Sequence, residues 1–428
     1  MPLPQRPSRR DFLRQSSLAG LALGFPALIP ASALGKDGAV APSNRLEMVA
    51  VGTSGMGGSN LGRFLGMKNV QVVAVCDVDL NHLKAGVNAV KQRGGSEPRA
   101  YQDYRELLAK EKAEAASIGV PDHWHAPISI PFLKAGYDIY GEKPLAKTLV
   151  EGRAMVDAAK AHGRVWQTGM WQRSTGNFRR AVELVRNGAI GKVKRVEVGT
   201  GSSGAGPKGG DPGKVPGHLN YDLWVGPSAM MEYDSRRTHF NWRWNYNFGG
   251  GQLVDWVCHH VDIAAWGVGK DLEYPVAVEA KGSEAAGGPW DTHRQYDYTA
   301  TYADGTEITC NSRHMGAKFI GETGWISVNR GSQQTSDPKL WDAPLGDGAW
   351  RCPGTTDNWK DFTDCVRTRR RPVAHIEVAH HTTLIGLLAN ASILAGRRLT
   401  FDGKAEKVRE DIGGNPFISR KLRDPYGI

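Results

Sequence analysis

Cysteine is scarce in this sequence. Its 428 residues include five cysteines, none with the C-x-x-C spacing of zinc or redox sites and too few for a disulfide scaffold. Cys76 and Cys258 stand within apolar segments, where small buried thiols are expected. Cys352 and Cys365 are the pair that an oxidising compartment would allow to join, but a fold that depends on disulfides is not expected.

The N-terminal region lacks an uninterrupted apolar run. The apolar stretch at 17–34 contains two glycines and two prolines, whereas a bilayer span needs about 20 consecutive apolar residues. Ser8-Arg9-Arg10-Asp11-Phe12-Leu13-Arg14 precedes this stretch and Ala31-Ser32-Ala33 ends it, a pattern typical of a twin-arginine (Tat) signal with a peptidase site. We therefore expect a signal peptide at 1–33, a linker at 34–44, and a periplasmic or otherwise exported protein that uses the Tat machinery and keeps no stable membrane anchor.

Aromatic residues are missing from the most basic run. The formal net charge is +10, and its densest cluster is Arg367-Thr368-Arg369-Arg370-Arg371. Nucleic-acid binding of single strands needs aromatic side chains on which bases stack, interleaved with such charges. No nucleic-acid partner is expected, and we interpret the run as a solvated loop.

What the sequence does contain, from Leu46 onward, is an alternation of short apolar runs and helical patterns. The order is typical of βαβ units and a parallel sheet. The predicted elements are strands over 46–51, 70–76, 115–120 and 137–141, and helices over 60–65, 80–92 and 104–110.

A glycine-rich turn, Gly52-Thr53-Ser54-Gly55-Met56-Gly57, follows the first strand. Such a turn brings backbone N–H groups to a pyrophosphate, with Gly52 for the tight turn and Gly57 for helix packing. Ser54 replaces the middle glycine of the usual pattern, and Gly55 is expected to restore the close approach. Asp77 ends the second strand, where a carboxylate binds ribose hydroxyls and repels a 2′-phosphate. NAD is therefore expected in preference to NADP, with contacts from Gly52, Ser54, Gly55, Met56, Gly57 and Asp77.

Two further segments follow strands at the same sheet edge. Pro121-Asp122-His123-Trp124-His125 comes after the third predicted strand, and Glu142-Lys143-Pro144 after the fourth, where open α/β sheets bind ligands. The His-x-His spacing lacks a third ligand nearby, so no metal site is expected. The expected cofactor contacts in these segments are Pro121, His123, His125, Glu142 and Lys143.

The second half predicts a sheet and a long apolar helix. Alternating polarity indicates strands, and Ala303-Asp304-Gly305 is a hairpin signal between two of them. A helix is predicted over 378–394. Residues 419–428 are expected to be an extended tail that either reaches a neighbouring subunit or is poorly ordered. The predicted strands cover 192–200, 276–281, 296–302, 306–312 and 325–329.

These motifs together resemble the Gfo/Idh/MocA oxidoreductases. The resemblance rests on the glycine-rich turn, Asp77, Glu142-Lys143-Pro144 and Gly249-Gly250-Gly251-Gln252-Leu253-Val254-Asp255-Trp256-Val257-Cys258-His259. It implies an α/β Rossmann-type nucleotide-binding domain at 45–165. An α+β domain with a large open-faced, mainly antiparallel sheet is implied at 166–400, followed by a C-terminal tail at 401–428. It also implies a homo-oligomer, either a dimer or a tetramer.

The resemblance implies three catalytic residues, which in this sequence are Lys143, Asp255 and His259. The D-x-x-x-H spacing also has a physical basis, because residues i and i+4 share one face of a helix. His259 is the expected base, since the intrinsic pKa of histidine lies near neutrality. Lys143 is expected to donate to the reacting oxygen and Asp255 to orient the site. His260 is an alternative to His259, and Asp262 is expected at the surface or as a cap.

Tryptophans clustered with polar residues favour a carbohydrate substrate. Trp171-Gln172-Arg173, Tyr221-Asp222-Leu223-Trp224 and His239-Phe240-Asn241-Trp242-Arg243-Trp244 combine flat apolar surfaces with hydrogen-bond donors, which suits sugar rings. The same tryptophans equally suit a core or a subunit interface. The expected substrate residues are Gln172, Arg173, Arg243 and His260.

The expected activity is oxidation of a sugar or glycoside hydroxyl by NAD that stays tightly bound and is restored in place. A Tat substrate crosses the membrane already folded, and no soluble nicotinamide pool is expected outside. The resemblance also covers NAD-dependent glycosidases, for which Tyr221 or His239 is a candidate second base, but Asp255-x-x-x-His259 favours the dehydrogenases. A cofactor-bound binding protein without turnover is the alternative from another class.

Overall fold

The computed structural model describes residues 40–93, 96–202 and 212–428. The predicted signal at 1–33 and most of the predicted linker lie outside the described residues. Residues 40–45 and 67–70 belong to a small unit of their own, which contains a 3-10 turn at Pro42–Asn44. The other described residues form the second unit, and both large sheets are formed mainly from it.

The first sheet is a six-stranded nucleotide-binding sheet. Its strands are β1 (Leu46–Val51), β2 (Val70–Cys76), β3 (Arg99–Tyr101), β4 (Ala115–Ile118), β5 (Asp138–Gly141) and β6 (Trp166–Thr168). The strand order is β3-β2-β1-β4-β5-β6, and the pairs β1–β4, β2–β3, β4–β5 and β5–β6 are parallel. Val49, Ala116 and Ile139 in its centre are fully buried, as expected for a sheet covered on both faces. The predicted Rossmann-type architecture is confirmed.

Helices connect these strands, and three of them begin at a position with a side-chain cap. Asp79, Asp103 and Thr148 each accept a backbone hydrogen bond as N-caps, which satisfies amide groups that the first helical turn leaves unpaired. The first helix begins at Gly55, earlier than the predicted start at residue 60, and Ser54 is its extended N-cap. The helices cover Gly55–Leu65, Leu80–Gln92, Tyr104–Lys110, His125–Lys134 and Leu149–Ala161, with a 3-10 turn at Asp122–Trp124.

The second large sheet is mainly antiparallel, as the sequence predicted. Its strands are β7 (Val193–Thr200), β8 (Ala277–Gly282), β11 (Tyr296–Thr301), β12 (Glu307–Asn311), β13 (Met315–Gly321), β14 (Trp325–Asn329), β15 (Ser332–Thr335), β16 (Leu399–Asp402) and β17 (Lys407–Val408). Their order is β15-β14-β13-β7-β12-β11-β8-β16-β17. Only β7 and β12 pair in parallel among the described strands of this sheet. Two short strands, β9 (Ala285–Gly287) and β10 (Trp290–His293), form a separate antiparallel pair.

The long apolar helix of the second half is Ile376–Ala395. Within the described ranges, it alone has the length and apolarity to cross a membrane. Its most apolar window is 78% buried inside the protein, and it packs against β8 and the helix Leu149–Ala161. We therefore interpret it as a core helix that covers one face of the second sheet.

The second half contains further short helices and turns. The segment from Gly251 to Gly267 is a helix interrupted by a single π-helical turn. Among the described residues, the full set is Trp171–Ser174 (3-10), Gly176–Arg186, Tyr221–Val225, His239–Trp244 (3-10), Gly251–Trp256, Val257–Val261 (π), Asp262–Gly267, Pro338–Asp342 and Asn358–Thr368.

Two expectations, about Asp262 and the tail, differ from the structure, and the question left open about Cys352 and Cys365 is answered. Asp262 is not at the surface: it is fully buried and paired with Arg173. All five cysteines are buried free thiols, so Cys352 and Cys365 are not joined. The tail folds back on its own chain, because Arg420 pairs with Glu151 and Tyr426 is buried.

Candidate functional site

A cavity of about 510 Å³ opens at the carboxyl ends of β1, β2, β4 and β5. This is the edge at which parallel α/β sheets bind ligands. The cavity lies where the chain order reverses, between β1 and β4. The lining includes these predicted residues: Gly52, Ser54, Gly55, Met56, Asp77, Pro121, Glu142, Lys143 and Arg243.

The glycine-rich turn lets three backbone segments come together beneath the cavity. Gly52 has a φ of +82°, and a Cβ there would clash with the carbonyl oxygen of Gly119. A Cβ on Gly57 would clash with the carbonyl oxygen of Gly52, so Gly57 supports the turn without lining the cavity. Gly55, with a φ of +53°, has open space around its missing Cβ, which leaves room beside the helix N-terminus for a phosphate group.

Asp77 lies at the end of β2 on the cavity wall. Its Oδ2 accepts from the backbone N–H of Thr53 at 2.9 Å, and its Oδ1 accepts from the N–H of Asp79 at 3.0 Å. The carboxylate is thereby fixed against the glycine-rich turn. Its position fits the ribose of a dinucleotide, and its charge disfavours a 2′-phosphate. The turn and Asp77 together fit NAD.

Lys143, Asp255 and Arg243 form an ion-pair cluster at the other end of the lining. Lys143 follows β5, and its Nζ donates to Asp255 Oδ1 at 2.8 Å and to the Asp255 carbonyl oxygen at 3.1 Å. Arg243 Nε donates to the same Oδ1 at 3.1 Å. Burial by itself raises the pKa of Asp255, but Lys143 and Arg243 outweigh it and hold that pKa well below its usual range. The aspartate is therefore ionised and carries the compensating charge for two cations.

His259 lies one turn after Asp255, in the π-helical turn Val257–Val261. Burial, together with the positive charges of Lys143 and Arg330, lowers the pKa of His259 well below its ordinary value near neutrality. Its Nδ1 is buried without a hydrogen-bond partner among the described residues. The ring is thus a neutral imidazole able to accept a proton, although a weaker base than an unperturbed histidine. π-helical turns occur frequently at functional sites.

Asp122 is a lining residue to which the sequence reasoning gave no role. It is 3% exposed, and its Oδ1 is buried without a hydrogen-bond partner in the part of the chain described. Burial and the charge of Asp255 raise the pKa of Asp122 to about 8, against the opposing effect of Arg243 and Lys143. The carboxyl group is therefore protonated at neutral pH, next to an ionised Asp255.

His123 and His125 lie behind the cavity wall rather than on it. His123 Nε2 is 2.9 Å from the carbonyl oxygen of Trp224, and His125 Nδ1 is 2.6 Å from that of Pro144. Burial lowers the pKa of His123 to about 3 and that of His125 to about 4, so both rings are neutral. We correct their expected role from cofactor contact to support of the loop that carries Pro121.

Arg173 was expected to contact the substrate, but its side chain is buried in an ion-pair cluster. Its side chain is 2% exposed, forms ion pairs with Asp262 at 2.7 Å and Asp271 at 3.0 Å, and lies 4.6 Å from the Trp266 ring. All three nitrogen atoms of this guanidinium donate to carboxylates inside the protein. Arg173 therefore stabilises the fold and is not placed to bind a substrate.

Gln172 and His260 form a buried pair next to Arg330. Gln172 Nε2 is 3.3 Å from His260 Nδ1, and Gln172 Oε1 accepts from Arg330 Nε at 3.1 Å. Burial, followed by the charge of Arg330, lowers the pKa of His260 to about 3. Neither residue lines the cavity, and neither does Arg330, to which Gln172 is hydrogen-bonded and which no pattern in the sequence singled out.

The aromatic segments of the second half contribute to the same cavity. Trp224 and His239 line it. His239 Nε2 is 3.2 Å from Asp79 Oδ2, and these two with His82 bring ligating atoms within 4.8 Å of one another. Asp79 already caps the helix Leu80–Gln92 through its other oxygen, so we interpret the group as an ion-pair cluster, and the absence of a metal stays a prediction. Tyr221 is turned away, because its hydroxyl donates to the carbonyl oxygen of Met231.

Of the three predicted catalytic residues, Lys143 lines the cavity, Asp255 is hydrogen-bonded to it, and His259 is buried one turn further along without being part of the lining. A parallel sheet with a glycine-rich turn at its switch point, followed by a second sheet domain that carries this aspartate and histidine, defines a nicotinamide-dependent oxidoreductase. Residues 46–170 match the family model described as the NAD-binding Rossmann fold of an oxidoreductase family. Residues 179–428 match the C-terminal alpha/beta domain of the same family. The chain belongs to the Gfo/Idh/MocA oxidoreductase family.

Curated relatives include proteins named for glycoside hydrolysis. A glycosyl hydrolase family 109 protein of Shewanella pealeana is 31% identical over 168 residues, which is 36% of this chain and 37% of that protein. One from Saccharopolyspora erythraea is 28% identical over 203 residues, 44% of each chain. This chain therefore matches less than half of the length of these relatives.

A solved structure with the same fold is the WlbA dehydrogenase of Bordetella pertussis in complex with NADH and UDP-GlcNAcA. It is 16% identical, with a TM-score of 0.62 over 84% of this chain and 99% of that one. At this identity the likeness shows the fold alone.

Proposed function

We propose that this protein is an exported NAD-dependent oxidoreductase that oxidises a hydroxyl of a sugar or glycoside and keeps its cofactor bound between turnovers. The observation that carries the proposal is the cluster of Lys143, Asp255 and His259 beside a cavity that fits NAD. Family membership supports the oxidoreductase class.

Oxidation of a secondary alcohol removes a hydride from carbon and a proton from oxygen. NAD, when bound, supplies the hydride acceptor. Lys143 Nζ uses two of its three donors on Asp255, which leaves one N–H for the substrate oxygen and for the negative charge that develops on it. His259, held neutral by burial and nearby cations, takes the hydroxyl proton. Asp255 accepts hydrogen bonds from Lys143 and Arg243, which fixes the positions of both side chains, and its negative charge balances part of their positive charge.

The export part of the proposal rests on the sequence of residues 1–33. The twin-arginine pattern supports export of a folded, cofactor-loaded protein. Outside the cytoplasm a released NADH would not be replaced, so turnover requires a second carbonyl compound that reoxidises the cofactor in place.

Redox-assisted glycoside cleavage is the second candidate, favoured by the names of the curated relatives. It needs an additional base for a ring C–H beside the oxidised carbon. Tyr221 is hydrogen-bonded to a backbone carbonyl, and His239 is paired with Asp79. Tyr221 does not line the cavity, and His239, which does, is already paired with a carboxylate, which favours net oxidoreduction.

Mass and absorbance analysis of the purified protein, before and after addition of sugars and glycosides, tests this proposal. We expect bound NAD that gains the near-ultraviolet band of NADH without release of an aglycone, and that loses the band when a second aldose is added. Aglycone release without net reduction would instead establish the glycosidase. A protein that contains and binds no nicotinamide would overturn both.

A further inference from the structure

Arg330 stands at the tip of a tight hairpin whose position is fixed. Asn329 and Ser332 pair across the β14–β15 turn, so Arg330 and Gly331 form its two-residue loop. Asn177 Nδ2 donates to the carbonyl oxygens of Asn329 at 2.8 Å and Ser332 at 3.2 Å. This anchors the hairpin to the helix Gly176–Arg186 and sets where the exposed Arg330 side chain begins.

The guanidinium of Arg330 is held between two indole rings. It lies 4.6 Å from the Trp171 ring and 4.5 Å from the Trp256 ring, and its Nε donates to Gln172. Both rings also contact His259, with centroid distances of 6.3 Å and 5.0 Å. The terminal N–H groups of a guanidinium lie in its own plane, so contacts between its faces and aromatic rings leave these donors available to a ligand.

Not every cation around His259 has a carboxylate as a direct partner. Lys143, Arg243 and Arg330 are cations, and Lys143 and Arg243 share the same oxygen of Asp255. Asp122 is protonated at neutral pH, since its pKa is about 8. Arg330 has no carboxylate within ion-pair distance among the described residues, so one positive charge at the site is left without a direct partner.

We propose that the substrate carries a carboxylate, as a sugar acid does, and that Arg330 binds this carboxylate while the hydroxyl is oxidised at Lys143 and His259. The inference rests on the proposed function and narrows its substrate class. A guanidinium binds a carboxylate through two parallel N–H···O bonds. The guanidinium of Arg330 suits this geometry because its ring contacts and its bond to Gln172 hold it in one place. A single monoanion also matches the single unpaired cation, whereas phosphate sites usually combine several donors or a helix N-terminus.

The test compares glucuronate with glucose on the NAD-loaded protein. The two sugars differ at C6, where glucuronate has a carboxylate and glucose has a hydroxymethyl group. We obtain KM and kcat for the oxidation step from the way the single-turnover rate of NADH-band formation depends on sugar concentration, and dissociation constants by calorimetry. The wild type is expected to prefer glucuronate by about tenfold or more in kcat/KM, mainly through KM, because hydrogen bonds to charged groups are the stronger ones. Arg330→Gln should remove that preference, and Arg330→Lys should restore only part of it.

Arg313→Gln is the matched control, since Arg313 is an exposed arginine paired with Asp297 on the second sheet. This control should keep the wild-type preference. Equal kcat/KM for both sugars in the wild type, or an Arg330→Gln variant that keeps the preference, would overturn the carboxylate inference and leave the oxidoreductase standing. A preference for glucose 6-phosphate over glucuronate would overturn it in favour of a phosphate. Bound NAD that no sugar or sugar acid reduces would instead overturn the proposed function itself.

Discussion

Asp122 is the residue whose titration most directly reports the electrostatics of the site. Its pKa of about 8 lies far above the usual aspartate value, so the folded protein keeps a proton that the unfolded chain releases as the pH rises. The stability that this proton contributes is fully present in acid and is lost as the pH approaches 8. Asp122→Asn is neutral at every pH, and we expect its melting temperature to rise relative to the wild type between about pH 5 and pH 8.

Asp347→Asn provides the comparison, because Asp347 is exposed in a loop. Thermal unfolding of the three proteins at both pH values measures the effect. If the difference between Asp122→Asn and the wild type is the same at pH 5 and pH 8, Asp122 is ionised in the folded protein and the charge count at the site is wrong.

Among single residues, the sequence predicted the ones that belong to recognisable motifs. It missed the residues whose role depends on which side chains pack around them. Lys143 follows β5 and Asp255 lies on the helix Gly251–Trp256, and each belongs to a motif that the sequence displays. Arg173 stands beside Gln172 in an aromatic-rich segment, and nothing local distinguishes a buried ion pair from a substrate contact. Arg330 was missed because its role depends on Trp171 and Trp256, which are distant from it in sequence.

Among the elements, the Arg173 cluster ties three segments together. Arg173 lies in the turn Trp171–Ser174, Asp262 begins the helix Asp262–Gly267, and Asp271 follows that helix. Removal of one partner leaves buried carboxylates without a counter-charge, which typically costs about 3–5 kcal/mol. We expect Arg173→Met to lower the free energy of unfolding by this amount while the protein still binds NAD, as measured by denaturant unfolding and by cofactor content.

Arg195→Met is its control, because Arg195 lies exposed on β7 and pairs with Glu197 at the surface. Such a pair contributes about 0–1 kcal/mol. If Arg173→Met is as stable as this control but fails to turn over sugars, the original expectation of a substrate contact is restored.

The elements themselves were mostly visible in the sequence, since apolar runs and capping residues are local signals. β1, β2 and β14 have the predicted bounds. β4 ends at Ile118 rather than at residue 120, because Gly119 leaves the strand to approach the glycine-rich turn. The π-helical turn after Trp256 had no sequence signal: its extra width depends on how the helix packs, not on residue type.

For the whole molecule, the two-sheet architecture follows from the sequence because each sheet has its own periodicity. Buried parallel strands read as apolar runs, while β11 alternates, with Tyr296, Tyr298 and Ala300 buried and Asp297 exposed. Homo-oligomer formation and export depend on surfaces and machinery outside one chain, so they stay predictions. The second sheet, with polar residues such as Glu279 and Asp297 on an open face, is the surface on which a dimer or tetramer is expected.

Hydride transfer by a Lys143→Ala variant tests the central claim most directly. Arg243 still pairs with Asp255 when Lys143 is removed, so the fold and the bound NAD should persist. The rate at which a sugar generates the NADH band should fall by about a hundredfold or more, because one donor to the developing oxyanion is lost. Lys194→Ala, at an exposed position of β7, should match the wild type. A Lys143→Ala protein that holds NAD and reduces it at the wild-type rate would contradict the account.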